Sequence, residues 1–269
     1  MAITALHSAA TGLRALSTRI DVTANNLANA ETTAFKRQRA NFEDLMYLML
    51  KQPGAQNADG DVSPTGIYVG LGTKLSNTQL DLEQGSLEPT GSQYDVAIRG
   101  DGFFRVRIMS GVGDGTAYTR NGNFVVNRDG ELMLNVGEGY RLDPPVEVPP
   151  DATDVQISED GIVRVTIPGQ QEKQTVGELR LYQFVNPQGL HLLGGSLYQE
   201  TDASGPANES APGEQGAGIL QQGFLESSNV DPVKELVSLI KTQRAFELNS
   251  QSIQSADQAL QTIGNLRRY

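Results

Sequence analysis

Residues 2–29 read AITALHSAATGLRALSTRIDVTANNLAN, and residues 231–266 read DPVKELVSLIKTQRAFELNSQSIQSADQALQTIGNL. These two stretches decide the fold, because the ends of the chain share a pattern that the middle lacks. In the first, Leu6, Leu13, Ile20 and Leu27 recur every seven residues. Ile3, Ala10, Ser17 and Ala24 form a second row of smaller residues, offset by three. In the last stretch Leu239, Phe246, Ile253 and Leu260 repeat the spacing, with Thr242, Asn249, Ala256 and Ile263 beside them. A three-four alternation is the seam of a helix lying on another helix, narrower than the stripe of a helix on a globular core.

Asp231-Pro232 is a helix start, a capping carboxylate followed by a proline whose missing N–H costs nothing there. Glu235 in the first turn, with Arg267 and Arg268 near the last, complements the helix dipole. Half of each seam is small or polar. Full burial of a Leu or Ile contributes ~1.5–3 kcal/mol, whereas fixing ~60 residues costs ~1–2 kcal/mol each. The ends are therefore expected to be loose in a single chain and to order on assembly. The amides Asn25, Asn26 and Asn29 at the end of the first helix, and Gln243 and Asn249 inside the last, invite two interpretations. They cap and solvate helices, or, buried in an interface, they fix its register by demanding polar partners.

Working inward, Tyr94–Ile98, Phe103–Ile108, Ala117–Arg120, Asn123–Val126, Leu132–Leu134, Val155–Ile157, Val163–Ile167 and Leu179–Phe184 are strand-like. Turn residues at Gly100-Asp101-Gly102, Asp129-Gly130 and Asp160-Gly161 separate several of them. Short strands at that spacing predict an all-β domain. The apolar run Leu45–Leu50 has no clear period, so its state is open, and Gln52–Gly66 after it is polar and loop-like. The fold class expected is α+β: a helical coiled-coil domain made from residues 1–40 and 226–269, an extended linker over 41–80, and an all-β domain over 81–225.

The 269 residues carry a formal net charge of −11, with no cysteine and no tryptophan. Without cysteine there are no disulfides, thiolate nucleophiles or Cys-based metal sites. An acidic chain is a poor ligand for nucleic acid or an anionic lipid surface. No apolar run approaches the ~20 residues of a spanning helix, and the start lacks a charged region followed by an apolar one. Neither nucleic-acid binding nor membrane insertion is expected.

Convergent reactive groups are scarce. The two histidines, His7 and His191, fall in different parts of the fold. There is no His-Glu-x-x-His, no Walker lysine loop and no nucleophile elbow. Gly111-Val-Gly-Asp-Gly-Thr116 imitates a phosphate loop but has Thr in place of its last Gly and no helix after it, so it is assigned as a hairpin turn. No catalytic, metal or cofactor residue is assigned and no enzyme activity is expected.

Several motifs together resemble the flagellar rod and hook family. Ala24-Asn-Asn-Leu-Ala-Asn29, Thr32-Thr33 and Phe35-Lys36 are similar to its N-terminal signature. Leu239-Ile-Lys-Thr-Gln-Arg-Ala-Phe-Glu247, Asn249-Ser250 and Ala256-Asp257 are similar to its C-terminal one. Gly70-Leu-Gly-Thr73, Gln84-Gly-Ser-Leu87, Asp95–Ile98 with Gly102-Phe-Phe104, and Tyr118-Thr-Arg120 are similar to its central motifs. Lys51-Gln-Pro-Gly-Ala-Gln56 with Pro64-Thr-Gly66, and Gly223-Phe-Leu-Glu226 with Ser228-Asn-Val-Asp231, are similar to segments of its distal-rod members. Proximal-rod or other rod and hook members are the near alternative. Ala34 departs from the pattern, since the family usually has Gly there; a positive φ would strain an alanine.

The resemblance implies a structural subunit of the periplasm-spanning rod of the basal body. Such a subunit is exported unfolded by the flagellar type III apparatus and self-assembles into a hollow helical tube, with terminal helices inside and β domain outside. It implies as partners copies of the same chain, proximal rod proteins, hook protein and the P-ring and L-ring bushing proteins. The assembly interface would use Leu6, Leu13, Ile20, Asn25, Asn26, Leu27, Asn29, Leu239, Gln243, Arg244, Phe246, Asn249, Ile253 and Leu260. Gln52, Pro53, Gly54, Pro64 and Gly66 would belong to a segment that stiffens the rod. The reading from a different class is a peptidoglycan-binding β module with helical dimerisation ends, for which the lack of Trp leaves little stacking surface. An enzyme reading is a glycosidase with paired carboxylates.

Overall fold

The computed structural model describes residues 2–54, 64–108, 115–137, 139–169 and 172–266. It is α+β, with helix α1 over Ala2–Ala28, helix α2 over Pro232–Leu266 and strands between them. The backbone divides into two compact units. One comprises Met1–Ala28, Gln38–Gln79 and Asp231–Tyr269, the other Asn29–Arg37 and Leu80–Val230. Relative to the expected division, residues 41–79 group with the helices and 29–37 group with the β domain.

In the first unit, α2 begins at the predicted cap. Asp231 Oδ1 accepts from the N–H of Val233 at 3.0 Å and of Lys234 at 3.1 Å. The bond from the Lys234 N–H, with the Lys234 ammonium beside it, holds the Asp231 carboxyl below its ordinary pKa. Arg267 and Arg268 lie outside the described residues.

The expected linker is a two-stranded antiparallel ribbon. Strands β1 (Gln38–Asp44) and β4 (Thr73–Leu80) pair with each other, as do β2 (Tyr47–Lys51) and β3 (Ile67–Gly70). The open question of Leu45–Leu50 is thus resolved as mostly strand. Leu48 stands opposite Val69 and Met49 opposite Tyr68, so aromatic and β-branched residues on the return strand favour the extended form. The ribbon is interrupted between β3 and β4, where it meets α1. Ser8 Oγ donates to the Gly70 carbonyl at 3.2 Å, and the Thr73 N–H donates to Thr11 Oγ1 at 3.4 Å. Gly72, at φ +113°, allows this approach: a Cβ there would overlap Thr11 Oγ1 and come within 3.1 Å of Ser8 Cα. The Gly70–Thr73 motif therefore has a local physical cause.

The second unit is built on a seven-stranded antiparallel sheet. Its order is His191–Gly194, Leu197–Gln199, Thr116–Thr119, Phe104–Arg107, Tyr140–Asp143, Leu132–Leu134 and Phe124–Val126. Period-two alternation sends neighbouring side chains to opposite faces, and both faces are covered. Phe104, Val106, Ala117, Leu142 and Leu134 join the main core with Val155, Val163 and Val165 of a three-stranded sheet. Phe103, Tyr118, Tyr182 and Tyr198 form an aromatic layer with Leu80 and Leu190. Phe103 meets Tyr198 edge-on at 5.6 Å between centroids, a favoured aromatic geometry. Burial pushes the Tyr198 hydroxyl pKa well above its usual value.

Gly100-Asp101-Gly102 is a turn but does not close a hairpin. Val96–Arg99 pairs with Ile219–Gln222, while Phe104–Arg107 pairs with Thr116–Thr119. The latter two strands pair antiparallel, as a hairpin over 111–116 requires; residues 109–114 of that turn lie outside the described residues.

A buried ionic cluster joins the segment after α1, the segment before α2 and the sheet. Lys36 Nζ lies 2.6 Å from Glu226 Oε1, and Arg120 Nε lies 2.9 Å from Glu226 Oε2. The side chains of Lys36 and Glu226 have no exposed surface, and that of Arg120 has 4%. Remaining hydrogen-bonding capacity is used on the main chain. Lys36 Nζ donates to the Glu83 carbonyl, the Gly85 N–H donates to Glu226 Oε1, and Arg120 donates to the carbonyls of Gly100 and Gly102. Beside the cluster the two segments run together. The Ala34 N–H donates to the Glu226 carbonyl at 2.8 Å, and the Asn229 N–H to the Phe35 carbonyl at 3.3 Å. Asn229 Oδ1 accepts the Arg37 N–H, and its amide donates to the carbonyls of Asp81 and Glu83. Ala34 has φ +56° and is fully buried, so an alanine does occupy the strained left-handed region, at about 1–2 kcal/mol.

Burial alone would raise the Glu226 pKa, but Arg120 and Lys36 outweigh it and hold the carboxyl below its ordinary 4.5. Burial pulls Lys36 below its ordinary 10.5, opposed chiefly by Glu226. Glu226→Gln would leave two buried cations without a counter-charge, and we expect it to cost about 3–5 kcal/mol in urea unfolding. A depressed carboxylate pKa gives stability that is complete above the unfolded value and is lost as pH falls through the folded one. Wild-type stability should therefore drop as pH falls below 4.5, and the acid dependence should be shallower in Glu226→Gln. Equal slopes in parallel thermal melts would count against Glu226 as the titrating group.

Candidate assembly surfaces

α1 and α2 pack on one another antiparallel within the first unit. Asn26 Nδ2 lies 3.4 Å from Glu235 Oε2 near one end of the pair. Toward the other, a Cβ on Gly12 would come 2.6 Å from Asn249 Nδ2. Gly12 lies fourteen residues before Asn26, and Asn249 fourteen after Glu235. The contact thus repeats at two heptads on both helices. The rows that meet are small or polar. Gly12, Ala15, Thr23 and Asn26 are buried on α1, and Glu235 and Thr242 on α2.

The apolar rows picked from the sequence are placed differently. Leu6, Leu13, Ile20 and Leu27 are half-buried at the flank of this seam, and Ala10, Ser17 and Ala24 are exposed. On α2, Leu239, Asn249, Ile253 and Leu260 are half-buried, while Gln243, Arg244 and Phe246 are exposed. Val233, Leu236, Val237, Ile240 and Leu248 of α2 are exposed as well. The helix thus turns polar groups toward its partner in the chain and carries large apolar groups away from it.

Among the amides, Asn26 has a defined part. Its Nδ2 donates to the Gln38 carbonyl at 2.8 Å, and its Oδ1 accepts the Gln38 N–H at 2.9 Å. The side chain thereby imitates a strand partner and sets where the chain enters β1. Asn25 is exposed, and Asn29 accepts from the Thr32 N–H and hydroxyl after α1.

The ribbon supplies a second apolar surface. Met46, Tyr47, Leu48, Met49, Leu50, Ile67 and Tyr68 are each between 46% and 83% exposed. Alternate residues of a strand point to opposite faces, so the patch covers both sides of a two-stranded element that has no core of its own. Gln52, Pro53 and Gly54 follow β2, and Pro64 and Gly66 precede β3. Residues 55–63 between them lie outside the described residues.

No reactive constellation accompanies these surfaces among the described residues. His7 and His191 are each exposed, and no group of three or more His, Cys, Asp or Glu is placed to hold a metal. No described helix is long and apolar enough to cross a membrane. A polar cleft of about 410 Å³ is lined by Thr116, Gln199, Glu200, Thr201 and Asp202 among others.

Sequence reasoning missed the Lys36–Glu226–Arg120 cluster and the Gly12 row of α1, whereas Thr242 and Asn249 of the facing α2 row had been named beside the apolar one. The cluster left a trace: Phe35-Lys36, Gln84-Gly85, Tyr118-Thr-Arg120 and Gly223–Glu226 were picked out as separate motifs, and the structure brings all four to the same place.

Comparison with known proteins agrees with this convergence. Residues 6–36 match the family described as flagella basal body rod protein. Residues 97–165 match the flagellar hook protein FlgE/F/G D1 domain, and residues 221–266 the flagellar basal body rod FlgEFG protein C-terminal family. A flagellar basal-body rod protein FlgG of Buchnera aphidicola is 44% identical over 98% of this chain and 100% of its own length. The protein of the same name from Caulobacter vibrioides is 44% identical over 98% and 99%. A FlgF from Mesorhizobium japonicum is 33% identical over 97% and 98%. With full-length matches at this identity, the chain belongs to the FlgG family of flagellar basal-body rod proteins and is a structural subunit of the flagellar rod.

Proposed function

We propose that copies of this chain polymerise into the distal rod, a hollow helical tube that carries torque from motor to hook. The observation that supports this most directly is the outward apolar face of α2. Val233, Leu236, Val237, Ile240, Phe246 and Leu248 have between 36% and 71% of their surface exposed. Burying the rest of six such side chains is worth on the order of 5–10 kcal/mol before ordering costs. The fully buried centre of the seam toward α1 offers little of this, since it is made of Gly, Ala, Thr, Asn and Glu. Helices that gain more from neighbouring copies than from each other complete their order in the polymer. The assembly interface comprises the predicted rows on both helices, with Phe246 on the exposed side.

A contact that joins one patch to a different patch on the next copy extends without closing. Copies of the chain are the principal partner in this reading. Proximal rod proteins and hook protein adjoin the ends of the tube, the P-ring and L-ring surround it, and the flagellar type III apparatus delivers the subunits. The ribbon adds contacts beyond those of the helices. Its two apolar faces suit insertion between neighbours, and with Gln52–Gly66 as the stiffening segment it resists bending.

Two experiments bear on this. Purified wild-type protein should form tubes visible by electron microscopy, and Phe246→Asp should abolish them while the near-UV circular dichroism of the β unit is unchanged. Tubes from the variant at wild-type yield would refute the outward face as the interface. Removing Gln52–Gly66 should leave tubes that bend several-fold more easily in images of their contours; an unaltered persistence length would end the stiffening role.

A further inference from the structure

The described residues include three of the chain's five methionines, Met46, Met49 and Met133. Two of them are used unusually. A methionine commonly fills irregular gaps inside a core, and Met133 approximates this. It lies between the buried Leu132 and Leu134, half-buried, with its Cε close to Gly139. Met46 is instead 83% exposed and Met49 52%. Both lie on the ribbon, beside Tyr47 and Leu48, with Tyr68 directly across from Met49. The most accessible thioethers among the described residues therefore lie on one of the most apolar surfaces.

We propose that Met46 and Met49 form a peroxide modification site whose oxidation switches off association through the ribbon. The thioether sulfur attacks one oxygen of hydrogen peroxide. An S–O bond forms as the O–O bond breaks, the sulfur loses two electrons, and the peroxide is reduced to water. The product is a sulfoxide, a polar and chiral group in place of an apolar one. On a surface that gains from leaving water, each sulfoxide adds a strong acceptor that must find a donor or stay hydrated. The site is open in the single chain and closed once the ribbon is covered, so the vulnerable interval is the one before incorporation. Sulfoxides return to thioethers through two reductases, one for each epimer, which makes the change reversible. The effect on association rests on the proposed self-assembly; the selectivity of oxidation does not.

The test uses full-length protein, dilute and unassembled, treated with hydrogen peroxide and sampled over time. Peptide mass spectrometry should find sulfoxide at Met46 and Met49 forming about tenfold faster than at Met133. Equal rates at the three positions would overturn the site. Protein oxidised at both positions should lose tube formation and regain it after treatment with both methionine sulfoxide reductases. Normal tubes from fully oxidised protein would overturn the switch. If untreated protein forms no tubes, the assembly reading fails and the association effect falls with it, while the peptide rates still decide the site.

Discussion

A single buried carboxylate, Glu226, holds the β unit closed on both segments that connect it to the helices. Its two oxygens are shared among Lys36, Arg120 and the Gly85 N–H, so one side chain ties four stretches that are remote in sequence. Two cations against one anion leave a net positive charge in a dry place. Such a cluster is a weak source of stability compared with apolar packing, and breaking it is costly. Its effect is on selectivity: an exchanged or slipped connection would bury an unpaired charge. Asn229 and the Ala34 N–H add directional bonds along the same line. Four of the motifs that mark the family, Phe35-Lys36, Gln84-Gly85, Tyr118–Arg120 and Gly223–Glu226, meet in this closure.

The helices follow a different logic. In most paired helices the apolar stripe faces the partner and polar groups face water. Here small and polar residues fill the seam, with Glu235 buried against Asn26, while Phe246, Leu248 and Ile240 are turned outward. The ribbon repeats the theme in strand form. A chain that leaves this much apolar surface uncovered in two places has the composition of a component, which accords with its place in the FlgG family. Its charge of −11 opposes indiscriminate sticking before that surface is covered.

Much of the fold was legible in the sequence because it depends on local periodicity. The strand over Leu132–Leu134 was located residue for residue, and those over Phe103–Ile108 and Val163–Ile167 to within one or two residues. The start of α2 was legible because Asp231 caps through its own neighbours. Leu45–Leu50 was not, since five consecutive exposed apolar residues carry neither helix nor strand period. Choosing the apolar rows as the centre of the seam failed for a related reason, although the polar row beside them on α2, Thr242 and Asn249, does face α1. Hydrophobicity marks where a helix gains most from burial, and in this chain that side is not the one facing the other helix. The ionic cluster was invisible because Lys36, Arg120 and Glu226 lie far apart in the sequence, and nothing local distinguishes a lysine with a buried partner from one in water. Ala34 was the exception: a departure from the family's glycine correctly flagged a left-handed backbone.

The antiparallel pairing also orders events in time. A Cβ on Gly12 would meet Asn249, so α1 must wait for α2, which is made after all of the strands between them. Ribbon and sheet contacts become available much earlier along the chain. Closing so long a loop brings no contact until it is complete and is entropically late. A nascent chain therefore carries α1 without its helical partner until α2 has been made. Truncation anywhere before residue 231 would leave that helix permanently widowed, whatever the state of the sheet.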